Sequence, residues 1–184
     1  MEVSIDQSYA DYTLQPMLKP KELLDCYNVM ILHSLSKKYC IPGLRLGYIT
    51  ASPIIIERLR DIRQPWTVNT LAIEAGKWLI KNDPKVIPDI EGYIAEAQRL
   101  RDELQAIDGI MVMDTKTHYM LVNIDWATGL ELKNWLIENH GILIRDASNF
   151  HGLDDHCFRV AAQSPEENDA LINAIKEFKD GSEY

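Results

Sequence analysis

The fold and the chemistry of this chain are decided by the segment Ser34-Leu35-Ser36-Lys37-Lys38-Tyr39-Cys40-Ile41-Pro42-Gly43-Leu44-Arg45-Leu46-Gly47-Tyr48. It directly follows the apolar run Val29-Met30-Ile31-Leu32, which predicts a short buried strand. The segment therefore places a lysine just past a strand end, between two serine hydroxyls and an arginine. Such a lysine can hold an aldehyde cofactor that also carries a phosphate group.

These residue types fit pyridoxal 5′-phosphate. Lys37 would attack the aldehyde as a neutral amine, a form that the positive charge of Arg45 favours. Ser34, Ser36 and Arg45 supply the hydroxyl donors and the guanidinium fork that a phosphate needs, if Gly43 lets the loop curl back. The alternative is a chance match, because most lysines are solvated surface groups.

A second element lies upstream, where Val3-Ser4-Ile5-Asp6 reads as a short buried strand that ends in a carboxylate. A carboxylate in that place can pair with the protonated pyridine nitrogen and keep the ring an electron sink. Tyr9, three residues later, can donate a hydrogen bond to the phenolic oxygen of the ring. The alternative is that Asp6 caps a turn and Tyr9 is a packing residue.

Taken together, the chain resembles the fold-type I aminotransferase superfamily, in the branch of histidinol-phosphate aminotransferase and threonine-phosphate decarboxylase. The lysine and arginine segment is specific to the superfamily, whereas the last two matching segments look more like the decarboxylase. The four matching segments are Asp6-Gln7-Ser8-Tyr9, Ser34-Leu35-Ser36-Lys37 with Gly43-Leu44-Arg45-Leu46-Gly47, Gln64-Pro65-Trp66-Thr67-Val68-Asn69, and Leu143-Ile144-Arg145-Asp146-Ala147-Ser148-Asn149-Phe150 with Phe158-Arg159-Val160-Ala161.

The resemblance implies a role for each candidate cofactor residue. Lys37 would be the Schiff-base lysine, Asp6 the partner of the pyridinium and Tyr9 the donor to the O3′ oxygen. The implied ligands of the cofactor phosphate are Ser34, Ser36 and Arg45.

The resemblance also implies that Arg145 and Arg159 hold anionic groups of the substrate. Arg159 lies in an apolar stretch that reads as a strand, where an arginine needs an anionic partner. An internal carboxylate such as Asp146 is the alternative partner.

The implied function is a pyridoxal-phosphate-dependent enzyme that acts on a phosphorylated amino acid, most like L-threonine-O-3-phosphate decarboxylase of cobalamin biosynthesis. The alternatives are a histidinol-phosphate-type aminotransferase and, in another class, a non-catalytic folded fragment or partner-binding lobe. The sequence matches only the C-terminal half of family members. We therefore expect the isolated chain to be an incomplete, inactive enzyme whose partner is a second copy in a homodimer or a missing N-terminal half.

Composition bounds the other classes of function. With 184 residues, 46% of them hydrophobic and 26% charged, the chain can bury a sizeable core. A net charge of −9 leaves no broad basic surface, so nucleic acid is not an expected partner. The apolar runs are shorter than the roughly 20 residues that cross a bilayer, and no signal peptide is evident. We expect no membrane association and a cytoplasmic location.

The three cysteines form no CxxC pair, which argues against a disulfide framework or a structural zinc. One loop does collect possible metal ligands, namely His151, Asp154, Asp155, His156 and Cys157. The same residues also make an ordinary polar turn before a strand, and we expect no metal.

The predicted fold class is α/β. The C-terminal part of a large cofactor-binding domain, with a mixed, mainly parallel sheet covered by helices, is followed by a small α+β domain. Residues 1–107 form the first part, which includes a long helix at about residues 85–107, and residues 108–184 form the second. The predicted strands are 3–5, 29–33, 45–51, 110–113, 119–124, 142–145 and 158–161. The other predicted helices start at Ser52-Pro53, at Asn69-Thr70, at Thr128 and at Ser164-Pro165.

Overall fold

The computed structural model describes residues 1–23, 26–82 and 89–182. The chain divides into two compact units, Met1–Pro88 and Asp89–Tyr184. Each unit carries its own sheet and its own helices, so the predicted α/β class is confirmed.

The first unit contains a three-stranded sheet made of β1 (Val3–Asp6), β2 (Val29–Ser34) and β3 (Gly47–Ala51), in that spatial order. Strand β1 pairs with β2 in parallel, and β2 pairs with β3 in antiparallel orientation, as a mixed sheet requires. Ile31 in the central strand is fully buried. The strand predicted at residues 45–51 starts two residues later, because Arg45 adopts a left-handed conformation with φ of 52°.

The described residues of this unit also form three α-helices, namely α1 (Leu35–Lys38), α2 (Pro53–Ile62) and α3 (Thr70–Asn82). The two predicted helix starts are confirmed. Ser52 precedes Pro53 at the first position of α2, and the Asn69 side chain accepts a hydrogen bond from the backbone N–H of Ala72 at 2.9 Å. Helix α1 was not predicted, so Lys37 lies on a single helical turn after the strand.

The second unit has four antiparallel strands, β4 (Ile110–Val112), β5 (Tyr119–Ile124), β6 (Arg145–Asp146) and β7 (Cys157–Ala161), in the order β4-β5-β7-β6. Its helices are α4 (Ile90–Gln105), α5 (Gly129–His140) and α6 (Pro165–Ser182). The strand predicted at residues 142–145 is wrong except at its last residue. The backbone N–H of Ile142 bonds to the carbonyl of Leu136, and Gly141 has φ of 66°. The residues directly before β6 therefore form the C-terminal cap of α5 and not a strand.

One face of this second sheet is covered by the three helices. The buried side chains include Leu100 and Leu104 of α4, Leu136 of α5 and Ile175 of α6, each 0% exposed, packed with Phe158 of the sheet. The predicted capping box at Ser164 and Glu167 is present, and the structure adds a second one at Thr128 and Glu131. The second unit thus has a hydrophobic core of its own.

The long helix packs within this second unit. Its N-terminus is capped by Asp89, whose carboxylate accepts from the backbone N–H of Gly92 at 2.9 Å, and residues 85–88 of the predicted helix lie outside the described residues. The predicted division at residue 107 put this helix in the first part of the chain. The contacts of the structure instead divide the chain at Pro88 and Asp89, because Ala97, Leu100 and Leu104 belong to the core of the second unit.

Across the part of the chain that the structure describes, no helix combines the length and the apolar character that a membrane span requires.

Candidate functional site

The carboxyl edge of the parallel pair β1 and β2 holds the first group of candidate residues. Asp6 ends β1 and Ser34 ends β2, and parallel strands bring their carboxyl ends to the same edge. The exposed Asp6 carboxylate accepts the backbone N–H of Ser8 at 2.8 Å. Hydrogen bonds from the side chain and then the backbone of Ser8 lower the pKa of Asp6, so this carboxylate is ionised at neutral pH.

Lys37 and Tyr9 are brought together beside this edge. The Lys37 Nζ lies over the Tyr9 ring, 5.4 Å from its centroid, and the Lys37 side chain is exposed. The turn that carries Lys37 is fixed by Tyr12, whose hydroxyl donates to the Lys37 carbonyl at 2.9 Å. Sequence reasoning missed Tyr12, although it follows Tyr9 by three residues on the same short turn.

Two of the three predicted phosphate ligands lie at the loop that returns toward β2. Ser36 is buried, and its hydroxyl lies 3.3 Å from the Leu46 carbonyl and 3.4 Å from the Leu46 N–H. Exposed Arg45 donates through Nη1 to the Pro42 carbonyl at 3.1 Å. In this conformation Ser36 joins the start of the loop to its end. Ser34 is the N-cap residue of α1, but its side chain forms no capping hydrogen bond. The phosphate-binding roles of all three residues stay predictions.

The loop closes through Gly47 rather than through Gly43. A β-carbon at Gly47 would lie 2.6 Å from the His33 carbonyl oxygen, so a side chain has no room there. A β-carbon at Gly43 would meet nothing within 4 Å, and the φ of Gly43 is not positive. The role that the sequence analysis gave to Gly43 is therefore wrong, because the left-handed turn falls on Arg45 and the close approach falls on Gly47.

A cavity of about 570 Å³ lies beside this edge in the first unit. Its wall includes His33, Ser34, Lys38 and Tyr48, but neither Lys37 nor Arg45. The His33 ring stacks on Tyr48 with ring centroids 4.3 Å apart. This space therefore adjoins the lysine turn without containing the lysine.

The second unit holds the predicted substrate arginines. Arg145 and Arg159 are direct partners across β6 and β7, and both line a cavity of about 470 Å³. Among the described residues, neither guanidinium forms an ion pair with a carboxylate. The alternative partner Asp146 instead bonds to Ser148, accepting from its N–H at 2.9 Å and its hydroxyl at 3.1 Å.

Aromatic rings and an amide hold these two guanidinium groups. Arg145 donates through Nη2 to the Asn149 side-chain oxygen at 3.1 Å, and its Cζ lies 5.6 Å from the centroid of the Phe150 ring. The Cζ of Arg159 lies 5.6 Å from the centroid of the Tyr119 ring. Asn149 and Phe150, which support Arg145, thus belong to the same matching segment as that arginine.

His118 reports on the electrostatics of the arginine pair. Burial, and then the positive charge of Arg159, lower the pKa of His118 to about 4. Its ring stacks on Tyr93 at 5.6 Å and meets Tyr119 edge-on at 5.4 Å. The charge of Arg159 thus acts with burial to disfavour the protonated form of His118.

Hydrogen bonds hold the loop that carries the possible metal ligands. The Asp154 carboxylate accepts from the His156 N–H at 3.1 Å, and the His156 Nδ1 lies 2.8 Å from the Ala127 carbonyl. The pKa of His156 is raised, and the hydrogen bond with the Ala127 carbonyl is the largest cause. In the described ranges 1–23, 26–82 and 89–182, no three His, Cys, Asp or Glu side chains are grouped to hold a metal ion.

Comparisons with known proteins extend over nearly the whole chain. Residues 3–175 match the family model described as aminotransferase class I and II. A protein of Caldanaerobacter subterraneus subsp. tengcongensis, provisionally named threonine-phosphate decarboxylase, is 37% identical over 171 residues, which are 92% of this chain and 45% of that protein. The histidinol-phosphate aminotransferase of Parabacteroides distasonis is 33% identical over 178 residues, which are 96% of this chain and 50% of that protein.

Solved structures give the same picture. The L-threonine-O-3-phosphate decarboxylase from Porphyromonas gingivalis matches with a TM-score of 0.92 at 34% identity, over 96% of this chain and 55% of that chain. The chain therefore spans about half the length of the relatives that it matches.

Proposed function

Because the chain belongs to the aminotransferase class I and II family, we propose that it is the lysine-bearing part of a pyridoxal-phosphate-dependent enzyme that acts on a phosphorylated amino acid. The activity proposed is that of an L-threonine-O-3-phosphate decarboxylase. The observation that carries the proposal is the placement of Lys37 over the Tyr9 ring, beside the strand edge where the ionised Asp6 lies. The relatives at 37% and 34% identity support it.

The residues present fit the cofactor at three points. Asp6 is an ionised, exposed carboxylate suited to a protonated pyridine nitrogen, Tyr9 is a phenol beside the lysine, and Lys37 is the exposed amine. Ser34, Ser36 and Arg45 would hold the phosphate, which requires Ser36 and Arg45 to exchange their present backbone partners for it. When bound, the cofactor supplies an electron sink for the bond that breaks at the substrate Cα.

The substrate would be held by the arginine pair. Two positive side chains directly opposite on neighbouring strands repel each other, and an anion between them removes that repulsion. Arg159 and Arg145 thus suit a substrate with two anionic groups, a carboxylate and a phosphate. The grip on the carboxylate sets which Cα bond is aligned for cleavage.

A histidinol-phosphate-type aminotransferase is the second candidate, and the relative from Parabacteroides distasonis at 33% identity favours it. In that reaction Lys37 would move the proton at the substrate Cα as a general base. In the decarboxylase reaction the carboxylate leaves as carbon dioxide, and O-phosphothreonine yields aminopropanol phosphate. The products therefore separate the two candidates.

Activity belongs to the complete enzyme, because this chain spans about half the length of its relatives. We propose that the complete enzyme is a cytoplasmic homodimer of cobalamin biosynthesis. For the isolated chain, we propose a folded lobe that has no catalytic activity.

Pyridoxal phosphate itself gives the first test. The purified chain is mixed with the cofactor, its near-visible absorbance is recorded, and the mixture is reduced with borohydride and mapped by peptide mass spectrometry. We expect one reduced adduct on Lys37, and none at that peptide in Lys37→Ala. Lys38→Ala is the matched control, since it removes the neighbouring lysine and leaves Lys37 in place.

Labelling spread over surface lysines, equal in wild type and Lys37→Ala, would contradict the cofactor proposal. If the adduct forms, O-phosphothreonine and histidinol phosphate are tested with the complete enzyme. Aminopropanol phosphate would support the decarboxylase, and amino-group transfer from histidinol phosphate would support the second candidate.

A further inference from the structure

Helix α1 carries two consecutive lysines, and only the first of them is the proposed cofactor amine. Each Nζ atom lies over a tyrosine ring. The Lys37 Nζ is 5.4 Å from the centroid of Tyr9. The Lys38 Nζ is 5.2 Å from the centroid of Tyr39. The neighbouring rings therefore do not distinguish the two amines.

A carboxylate does distinguish them. The Lys38 Nζ lies 3.6 Å from the Asp11 Oδ1, in an ion pair whose side chains are 31% and 44% exposed. Among the described residues, Lys37 forms no ion pair with a carboxylate. Consecutive residues of a helix do not face each other, and the cavity of about 570 Å³ is lined by Asp11 and Lys38 but not by Lys37. The two amines thus have different surroundings.

A short 3-10 turn, Ala10–Tyr12, brings Asp11 to this place. The backbone N–H of Tyr12 bonds to the Tyr9 carbonyl at 2.9 Å, which closes the turn. The Tyr12 hydroxyl donates to the Lys37 carbonyl, also at 2.9 Å. Carbonyls in the last turn of a helix lack α-helical partners, so that carbonyl is open to a donor from another element. Tyr12 therefore docks the turn on α1, beside the ion pair that Asp11 forms.

The chemistry of an aldehyde depends on this difference between the amines. The neutral Nζ attacks the aldehyde carbon, a C=N bond forms, and the two amine hydrogens leave with the aldehyde oxygen as water. Lys38 has to give up its ion pair with Asp11 before it can react in this way. An ion pair between partly exposed side chains is weak, so its loss should change a rate by about twofold to fivefold.

We propose that Asp11 and Tyr12 make Lys37, rather than Lys38, the amine of α1 that reacts with an aldehyde such as pyridoxal 5′-phosphate. Asp11 holds Lys38 in the ion pair, and Tyr12 keeps Asp11 within reach by docking its turn. Both are positioning residues, since neither is the reacting group. The inference deepens the proposed function and rests on it for the identity of the aldehyde.

The first experiment uses a plain aldehyde as the probe. The full chain is methylated at trace level with formaldehyde and cyanoborohydride, and tandem mass spectrometry separates the rates at the two adjacent lysines. Asp11→Asn should raise the rate at Lys38 by about twofold to fivefold and leave the rate at Lys37 unchanged. Asp61→Asn, at an exposed aspartate of α2, makes the same chemical change and should alter neither rate.

Tyr12→Phe tests the docking of the turn, because it keeps the ring and removes the hydroxyl. It should also raise the rate at Lys38. Adding it to Asp11→Asn should give no further increase, since both substitutions act on one ion pair. Tyr27→Phe, at a 77% exposed tyrosine, is the control and should have no effect. A general loosening of the first unit would raise both lysine rates together, so the ratio of the two rates separates positioning from stability.

Salt gives an independent check on the ion pair. At about 1 M sodium chloride the exposed charges are screened, so the ratio of the rates in the wild type should approach the ratio in Asp11→Asn. Equal rates at Lys38 in wild type and Asp11→Asn would overturn the proposal. Additive effects of Asp11→Asn and Tyr12→Phe would overturn the role of Tyr12.

Pyridoxal 5′-phosphate then replaces formaldehyde in the same proteins, followed by borohydride reduction. We expect the ratio of adducts at Lys37 to adducts at Lys38 to fall in Asp11→Asn. If the cofactor shows no preference for Lys37 in the wild type while the formaldehyde rate at Lys38 responds to Asp11→Asn, the proposed cofactor site fails. The selection between the two amines is still supported by that result.

Discussion

Arg145 and Arg159 lie directly opposite each other on strands β6 and β7, and neither forms an ion pair with a carboxylate among the described residues. Like charges in that position destabilise a sheet by up to about 1 kcal/mol. We therefore expect Arg145→Gln and Arg159→Gln to leave the melting temperature of the anion-free protein unchanged or slightly higher. Thermal unfolding monitored by circular dichroism measures this.

In added inorganic phosphate, the wild type should become more stable than Arg145→Gln and Arg159→Gln. An anion bound to the folded state at a hundred times its dissociation constant stabilises it by about 2.7 kcal/mol, and the single variants should lose most of that gain. Lys176→Gln, at an exposed lysine of α6, is the control and should keep the response to phosphate. An equal response in all four proteins at constant ionic strength would rule out an anion site at the arginine pair.

Gly47→Ala should disrupt the lysine turn, while Gly43→Ala should not. The β-carbon at position 47 would meet the His33 carbonyl at 2.6 Å, so the pairing of β2 and β3 has to shift, at a cost of about 1–3 kcal/mol. The β-carbon at position 43 meets nothing. Amide exchange at Leu35 and Ser36, whose N–H groups bond to the Leu46 carbonyl, measures the difference. Faster exchange in Gly43→Ala than in Gly47→Ala would contradict this account.

Asn168 ties helix α6 to helix α4. It is 1% exposed, and its side-chain nitrogen donates to Glu96 at 2.7 Å while its side-chain oxygen accepts the backbone N–H of Gln163 at 2.9 Å. Asn168→Ala leaves these groups without their partner and should lower the free energy of unfolding by about 1–3 kcal/mol. Urea denaturation measures it.

The same substitution on the exposed side of α6 is the control for this prediction. Asn173→Ala should change the free energy of unfolding by less than about 0.5 kcal/mol, because Asn173 is exposed. If the two variants unfold at the same urea concentration, the Asn168 network does not stabilise the second unit.

Elements with a strong local signal were predicted from sequence. Helices α5 and α6 both start at capping boxes. Gly141 ends α5 and Pro165 is the first residue of α6, so local rules decide these bounds. Strand β5 was predicted with its observed bounds, because its apolar alternation matches a sheet with one buried face. The placement of Asp6 at a strand end followed from the same reasoning.

Features that depend on how a turn folds were not predicted. Residues 142–144 carry apolar side chains typical of a strand, but the cap of α5 uses the backbone of Ile142. The hydroxyl of Ser36 bonds to the backbone of Leu46, ten residues away, which no local pattern reveals. Support of Arg145 by Asn149 likewise depends on how a turn folds after β6. The residue types are visible in the sequence, but the pattern does not decide which of these hydrogen bonds the folded turn forms.

His118 provides a pH test of the positive field around Arg159. The pKa of its folded-state imidazole is about 4, below the ordinary value of 6.5, through burial and the Arg159 charge. The unfolded chain therefore binds a proton first as the pH falls. The stability that the neutral ring contributes is complete above pH 6.5 and is lost as the pH falls from 6.5 toward 4.

The charge and rings that face His118 are Arg159, Tyr93 and Tyr119. His118→Gln should reduce the loss of urea stability between pH 7 and pH 4.5, whereas His151→Gln, at an exposed histidine, should not. A phosphate bound at Arg159 cancels part of that positive charge, so it should raise the pKa of His118, as NMR titration of the ring would measure. The same titration in Arg159→Gln should start from a higher pKa and show no further change with phosphate. A pKa of His118 that is the same in wild type and Arg159→Gln would mean that burial alone lowers it.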